Sequence, residues 1–185
     1  MARADGSRQL DCLIPAERIR QRVDELGRRI AADYPQRDGD SPLHLIGVLK
    51  GAIVFVADLA RAIEREVSLD FLGIRSYGAL TESSGEIRLT KDLEEDIAGR
   101  DVLLVEDIVD TGLTVEWLRD HLQRRGPRSL RVATLLDKPS RRIQPVELAY
   151  VGFEIPDEFV VGYGLDYAQR YRNLADICVL RGVAG

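Results

Sequence analysis

One segment constrains this chain more than any other: Val102-Leu103-Leu104-Val105-Glu106-Asp107-Ile108-Val109-Asp110-Thr111-Gly112-Leu113-Thr114. A run of apolar β-formers ends abruptly in three carboxylates and two threonines flanking Gly112-Leu113. The pattern predicts a buried strand over 101–106 whose acidic tip enters a tight loop, and that loop opens a helix over 114–125. Gly112 permits the tight turn and a close backbone approach.

The same strand–turn–helix unit recurs upstream. Leu43–Leu49 reads as a buried strand, Lys50-Gly51 as the turn, and 52–65 as an apolar helix. Ahead of it, Pro15 suits a first helical turn, and Ile19, Val23, Leu26 and Ile30 follow at helical spacing. Further strands are expected at 68–77 and 130–136. After Lys138-Pro139 the pattern becomes short strands without long helices, at 146–153, 159–164 and 177–180. Alternating strands and helices imply an α/β fold: a central, mostly parallel sheet flanked by helices, with a small strand-rich hood. Ligands of open α/β sheets bind at the carboxyl ends of the strands. Lys50, Glu106 and Lys138 each follow such a strand and are expected to share one crevice.

Two segments stand apart. Residues 1–12 are polar and read as a flexible tail. Residues 76–92 hold Thr81, Ser83, Ser84, Gly85 and Thr90 with few apolar side chains, and read as a mobile lid loop. A weak hairpin through Ile87 and Leu89 is the structural alternative.

The 185 residues suffice for one domain, 1–185, with a sizeable core. A formal net charge of -5 disfavours non-specific nucleic-acid binding. Cys12 and Cys178 have no zinc spacing and read as reduced thiols. The amino-terminal residues lack a secretory h-region, and no apolar stretch approaches the roughly 20 residues of a membrane span. A cytoplasmic setting is expected.

The chemistry follows from the residue types. Paired carboxylates accept well from the two hydroxyls of a vicinal diol, so Glu106 and Asp107 fit a ribose. Crowded carboxylates also repel one another, which invites a divalent cation; magnesium binds few protein carboxylates plus substrate oxygens. The freed amides at the helix start, with Thr111 and Thr114, form an anion site suited to a 5′-phosphate. The bland alternative is simple N-capping by those threonines. Walker A and Gly-x-Gly-x-x-Gly signatures are absent.

The segment from Val102 to Thr114 resembles the phosphoribosyl-diphosphate-binding motif of type I phosphoribosyltransferases, and Glu-Asp-Ile-Val-Asp-Thr-Gly-Leu-Thr resembles the hypoxanthine-guanine branch. Leu136-Asp137-Lys138-Pro139 and the stretch from Val151 to Tyr167 are similar to the same branch. The likeness covers most of the chain between Leu43 and Leu180.

The resemblance implies a role for each matching residue. Glu106 and Asp107 hold the ribose hydroxyls, and Thr111, Gly112, Leu113 and Thr114 the phosphate. Leu113 stands where some relatives carry lysine. Asp110 exchanges a proton near N7 of the purine, which lets N9 attack the anomeric carbon. Lys138 donates to O6, Phe159 stacks on the base, and Val160 offers backbone groups to the pyrimidine edge. Asp166 lies near base and metal, so the expected magnesium set is Glu106, Asp107 and Asp166. Lys50-Gly51 matches the diphosphate loop, which in this family carries a non-proline cis peptide, and Arg172 a diphosphate-binding arginine. Ser76-Tyr77 opens the family's lid. His44 and His121 match no catalytic role.

The expected activity is transfer of a phosphoribosyl group from phosphoribosyl diphosphate to hypoxanthine or guanine, with Mg2+, in a homodimer or homotetramer. Two rivals remain: a related enzyme preferring xanthine or a pyrimidine, and a regulator that senses phosphoribosyl diphosphate without catalysis.

Overall fold

The computed structural model describes residues 3–4, 8–35, 41–77 and 86–182. In chain order the elements are β1 (Arg3–Ala4), β2 (Arg8–Ile14), α1 (Ala16–Asp33), β3 (Leu43–Leu49), α2 (Ile53–Ala62), β4 (Val67–Tyr77), β5 (Glu86–Lys91), β6 (Asp101–Val109), α3 (Leu113–Gln123), β7 (Ser129–Asp137), β8 (Tyr150–Glu154), β9 (Val160–Val161) and β10 (Ile177–Leu180). A short 3-10 turn occupies Pro139–Arg141.

The main sheet has the order β5-β4-β3-β6-β7-β8. Every pair in it is parallel except β4 with β5. β3 leads through α2 to β4 on one side, and β6 leads through α3 to β7 on the other. The winding therefore reverses between β3 and β6, and their carboxyl ends border the crevice where open α/β sheets take ligands.

Side-chain alternation explains the layers. Leu103 and Val105 of β6 join Leu43 and Leu45 of β3 beneath α1 and α2. Val102 and Leu104 join Ile46 and Val48 against Val115, Leu118 and Leu122 of α3. Each fully buried Leu or Val contributes about 1.5–3 kcal/mol, so β6 is anchored from both faces before it reaches its carboxylates. Helices α1 and α2 approach closely at Gly27, where a Cβ would lie 2.4 Å from the Ala62 carbonyl oxygen.

The second sheet, order β1-β2-β10-β9, is the strand-rich hood. It corrects the expectation of a flexible tail over 1–12: residues 8–14 form β2, antiparallel to β10. The partner strand lies some 165 residues away in sequence, so local patterning could not reveal it. Asp176, just before β10, accepts from the Ala16 N–H at 2.7 Å and ties the hood to the start of α1.

Within the expected lid, 76–92, the described flanks are paired strands. β4 runs to Tyr77 and pairs antiparallel with β5, with Ser76 opposite Ile87 and Tyr77 opposite Glu86. The ladder hydrogen bonds thus claim both flanks as a hairpin. Residues 78–85, with Thr81, Ser83, Ser84 and Gly85, lie outside the described residues.

Candidate active site

Strand β6 continues three residues beyond the expected boundary, because its pairing with β7 persists to Val109–Asp137. Asp107 is therefore a strand residue like Glu106, rather than part of the loop. The Asp107 N–H donates to Glu106 Oε1 at 3.0 Å, and the Ile108 N–H donates to Asp107 Oδ1 at 2.7 Å. Burial pushes the Glu106 carboxyl well above the usual range, and the neighbouring Asp107 charge adds to it. Burial also raises Asp107, opposed by the Glu106 hydrogen bond, the Ile108 N–H and the Arg172 charge. Two crowded, poorly hydrated carboxylates favour a cation or hydroxyl donors.

Beyond β6 the chain turns at Gly112, whose φ of 86° is left-handed. The space a side chain would need there is filled by the Gln144 carbonyl oxygen, 2.3 Å from an added Cβ. Gly112 is the N-cap of α3 and carries no side chain to cap the helix. Thr111 Oγ1 accepts from the Leu113 N–H at 3.5 Å, so the threonine-capping alternative is realised only as this one long contact, and orphan amides remain at the start of α3 for an anion.

Two clefts meet along this segment. The smaller, about 250 Å³, is walled by Gly51, Glu106, Asp107, Asp110, Thr111, Gly112 and Thr114 among others. The larger, about 630 Å³, is walled by Asp107, Asp110, Lys138, Phe159, Val160 and Asp166 among others. Asp107, Ile108 and Asp110 border both. The smaller chamber is lined by the residues that open α3. The larger has an aromatic ring, a lysine and several carboxylates, so a ligand with a phosphate at one end and a flat polar ring at the other fits the pair.

In the larger cleft, Lys138 is almost buried and its Nζ lies 3.6 Å from Asp157 Oδ1. Its N–H donates to the Val109 carbonyl at 2.9 Å, which fixes it at the end of β6. Phe159 meets Tyr167 edge-on, with ring centroids 5.7 Å apart. Arg141 Nε is 3.2 Å from Asp110 Oδ1, and its Nη1 is 3.4 Å from Asp157 Oδ2.

A phosphoribosyl transferase domain matches residues 16–168. The chain is 55% identical over 170 residues to the hypoxanthine-guanine phosphoribosyltransferase of Mycobacterium avium, covering 91% of this chain and 84% of that protein. The chain belongs to the hypoxanthine-guanine phosphoribosyltransferase family. The hypoxanthine phosphoribosyltransferase of Escherichia coli K12 is 48% identical over 165 residues, covering 89% of this chain and 92% of that one. Among solved structures, a hypoxanthine-guanine phosphoribosyltransferase of Bacillus anthracis superposes with a TM-score of 0.84 at 46% identity, covering 91% of this chain and 97% of that one. The Trypanosoma cruzi hypoxanthine phosphoribosyltransferase reaches 0.88 at 43% identity, covering 97% and 95%. The mostly parallel sheet and the hood are the type I phosphoribosyltransferase fold of this family.

Not every family-matched residue lines the two clefts. The Lys50 side chain is exposed, with Nζ 3.4 Å from Gln169 Oε1; the peptide before it, Leu49–Lys50, is cis. The Leu113 side chain is 46% exposed and walls neither cleft. Arg172 donates to the Gly164 carbonyl at 2.7 Å and pairs with Asp166 Oδ1 at 2.7 Å. It borders a neighbouring cleft with Tyr163 instead. Ser76 and Tyr77 are placed only as backbone, at the end of β4.

The expected metal set of Glu106, Asp107 and Asp166 is not gathered into one cluster. Among the described residues, no three His, Cys, Asp or Glu side chains form a metal site. The reason lies in Asp166, whose Oδ1 pairs with Arg172 while Oδ2 accepts from the Gln169 N–H at 2.8 Å.

Arg141, Asp157, Glu158 and Arg181 also wall the larger cleft, and sequence reasoning passed over them. Asp157 and Glu158 lie inside the family-like stretch, and Arg141 three residues after Lys138, so proximity to those motifs was the available signal.

Proposed function

We propose that this protein transfers the 5-phosphoribosyl group of phosphoribosyl diphosphate to N9 of hypoxanthine or guanine, yielding inosine or guanosine monophosphate and diphosphate. The observation that carries this reading is the pair of clefts joined at Asp107 and Asp110. A 5′-phosphate rests on the α3 amides with Thr111 and Thr114, and the ribose hydroxyls donate to Glu106 and Asp107. The purine then reaches the larger cleft, where Phe159 meets its face, Lys138 donates to O6 and Val160 borders its far edge. Asp110 holds the proton that leaves N7 as N9 attacks the anomeric carbon. Adenine offers a donor at position 6, leaving the Lys138 ammonium unmatched, so it is rejected by roughly 10²-fold or more.

Family membership implies magnesium-dependent binding of phosphoribosyl diphosphate. The crowded Glu106–Asp107 pair suits that ion, held jointly with substrate oxygens; when bound, it neutralises charge on the leaving diphosphate. Asp166 acts from the base side once a substrate displaces its Arg172 contact. Gly51 gives the diphosphate a close backbone approach, with Lys50 and Arg172 at the rim. Residues 76–92 close over the site and exclude water from the ribosyl cation.

The reading includes one phosphoribosyltransferase domain over 1–185, a homodimer or homotetramer, and a cytoplasmic setting without nucleic-acid or membrane partners. Among the described residues, no helix is long and apolar enough to cross a membrane. Sedimentation velocity tests the assembly.

The decisive assay mixes the protein, Mg2+ and phosphoribosyl diphosphate with hypoxanthine, guanine, xanthine, adenine or uracil. Nucleotide is expected with the first two bases. Turnover with uracil alone, or with none of the five, overturns the proposal.

A further inference from the structure

Cys12 of β2 and Cys178 of β10 are Cα partners across the hood sheet. The Arg181 N–H donates to the Gln9 carbonyl at 3.0 Å, so Arg181 and Gln9 face each other at a hydrogen-bonded position. Such positions alternate with non-hydrogen-bonded ones along an antiparallel ladder. Moving inward through Leu180–Leu10 and Val179–Asp11, Cys178–Cys12 falls at a non-hydrogen-bonded position. Partners there have Cα atoms about 4.5 Å apart and side chains in closest approach, within the roughly 4.4–6.8 Å that a disulfide spans. The two thiols are close enough to influence each other's ionisation, and both are free. Their access differs: Cys12 is exposed and Cys178 buried.

We propose that Cys12 and Cys178 form a redox site, oxidised by small disulfides of the glutathione class to an intrachain disulfide that staples β2 to β10. The inference is independent of the reaction proposed above. The exposed Cys12 thiolate attacks one sulfur of glutathione disulfide, forming a mixed disulfide and expelling one glutathione thiolate. The Cys178 thiolate then attacks Cys12 Sγ and expels the second glutathione. The protein gives up two electrons and two protons, and the small disulfide is reduced to two thiols. Burial raises both thiols above their usual value, with the Asp176 carboxylate adding to it. In a reducing compartment the surrounding thiol pool keeps the pair reduced, and the raised thiols make its oxidation slow near neutral pH.

The staple bears on the larger cleft through β10. Leu180, Arg181 and Gly182 follow Cys178 onto its wall. Arg181 also binds Asp11 Oδ2 at 2.9 Å and both Glu158 carboxylate oxygens at 3.1 Å. Neither cysteine lines the cleft, so oxidation rigidifies its support without removing a contact. The closed loop spans most of the chain, and tethering so long a loop raises the melting temperature by roughly 5–10 °C.

The test treats the folded wild-type protein with glutathione disulfide and maps its peptides without reduction. A Cys12–Cys178 linked peptide, loss of both titratable thiols and a higher melting temperature, all reversed by dithiothreitol, are expected. Cys178→Ser should instead accumulate one glutathione on Cys12 and keep the wild-type melting temperature. The proposal is overturned if wild-type protein retains glutathione on Cys12 with Cys178 free. It is overturned equally if the folded protein forms no link while the urea-unfolded chain does.

Discussion

A Cβ atom on Gly51 would lie 1.5 Å from Asp107 Oδ2, so the Asp107 carboxylate fills the space any side chain at position 51 would need. On its other side the Gly51 carbonyl oxygen lies 2.1 Å from where a Gly164 Cβ would stand. The turn after β3 is thus clamped between β6 and the segment that follows β9. Gly51→Ala must push Asp107 away from the junction of the two clefts. Turnover is expected to fall about 10²-fold, the cost of a misplacement near 1 Å, with a stability loss of about 1–3 kcal/mol from overpacking. Steady-state kinetics beside a urea melt checks both; wild-type turnover would rule out the clamp.

Asp110 borders both clefts and, among the described residues, is held only by the partly exposed Arg141. An exposed pair of this kind is worth about 0–1 kcal/mol, so a substrate displaces it readily. Asp110→Asn keeps the shape and removes the proton acceptor. Its kcat for hypoxanthine is expected to drop by about 10²–10³, with the KM for base changing only a few-fold. An unaltered kcat would remove Asp110 from the chemistry.

Lys138 carries its charge in a nearly closed position. In Lys138→Gln the side chain can both donate and accept, so the penalty against a 6-amino group disappears. The kcat/KM ratio of hypoxanthine to adenine should shrink by about 10-fold or more, chiefly through loss of the 6-oxopurine rate. A preserved ratio would place discrimination elsewhere in the cleft.

His44 is fully buried on β3, with Nδ1 2.8 Å from Ser68 Oγ, and its Nε2 finds no hydrogen-bond partner among the described residues. Burial, then the Arg100 charge, holds its pKa below the ordinary value. The unfolded chain therefore binds a proton that the folded one refuses as pH falls below about 6.5. Stability contributed by neutral His44 is complete above that pH and declines below it, by up to about 1.4 kcal/mol per pH unit until the folded-state pKa is reached. Urea melts between pH 7.5 and 5 should show the decline, and His44→Gln should flatten it. An equal slope in the variant would assign the acid sensitivity to other groups.

The sequence alone settled what depends on neighbouring residues. The apolar run before Glu106 required a buried strand, Gly112 required a turn, and the 19-23-26-30 spacing required a helix packed on the sheet. The string from Glu106 to Thr114 and the stretch around Lys138 and Phe159 carried the family likeness and the proposed chemistry, because each is contiguous in the chain. Tertiary structure decided what depends on distant partners. Strand β2 exists because β10 offers it an edge, and β6 reaches Val109 because β7 keeps pairing with it. The Asp166 carboxylate turns to Arg172 instead of joining Glu106 and Asp107. Gly51 meets Asp107, and Cys12 meets Cys178, only because strands far apart in sequence lie side by side; no local periodicity encodes such a meeting.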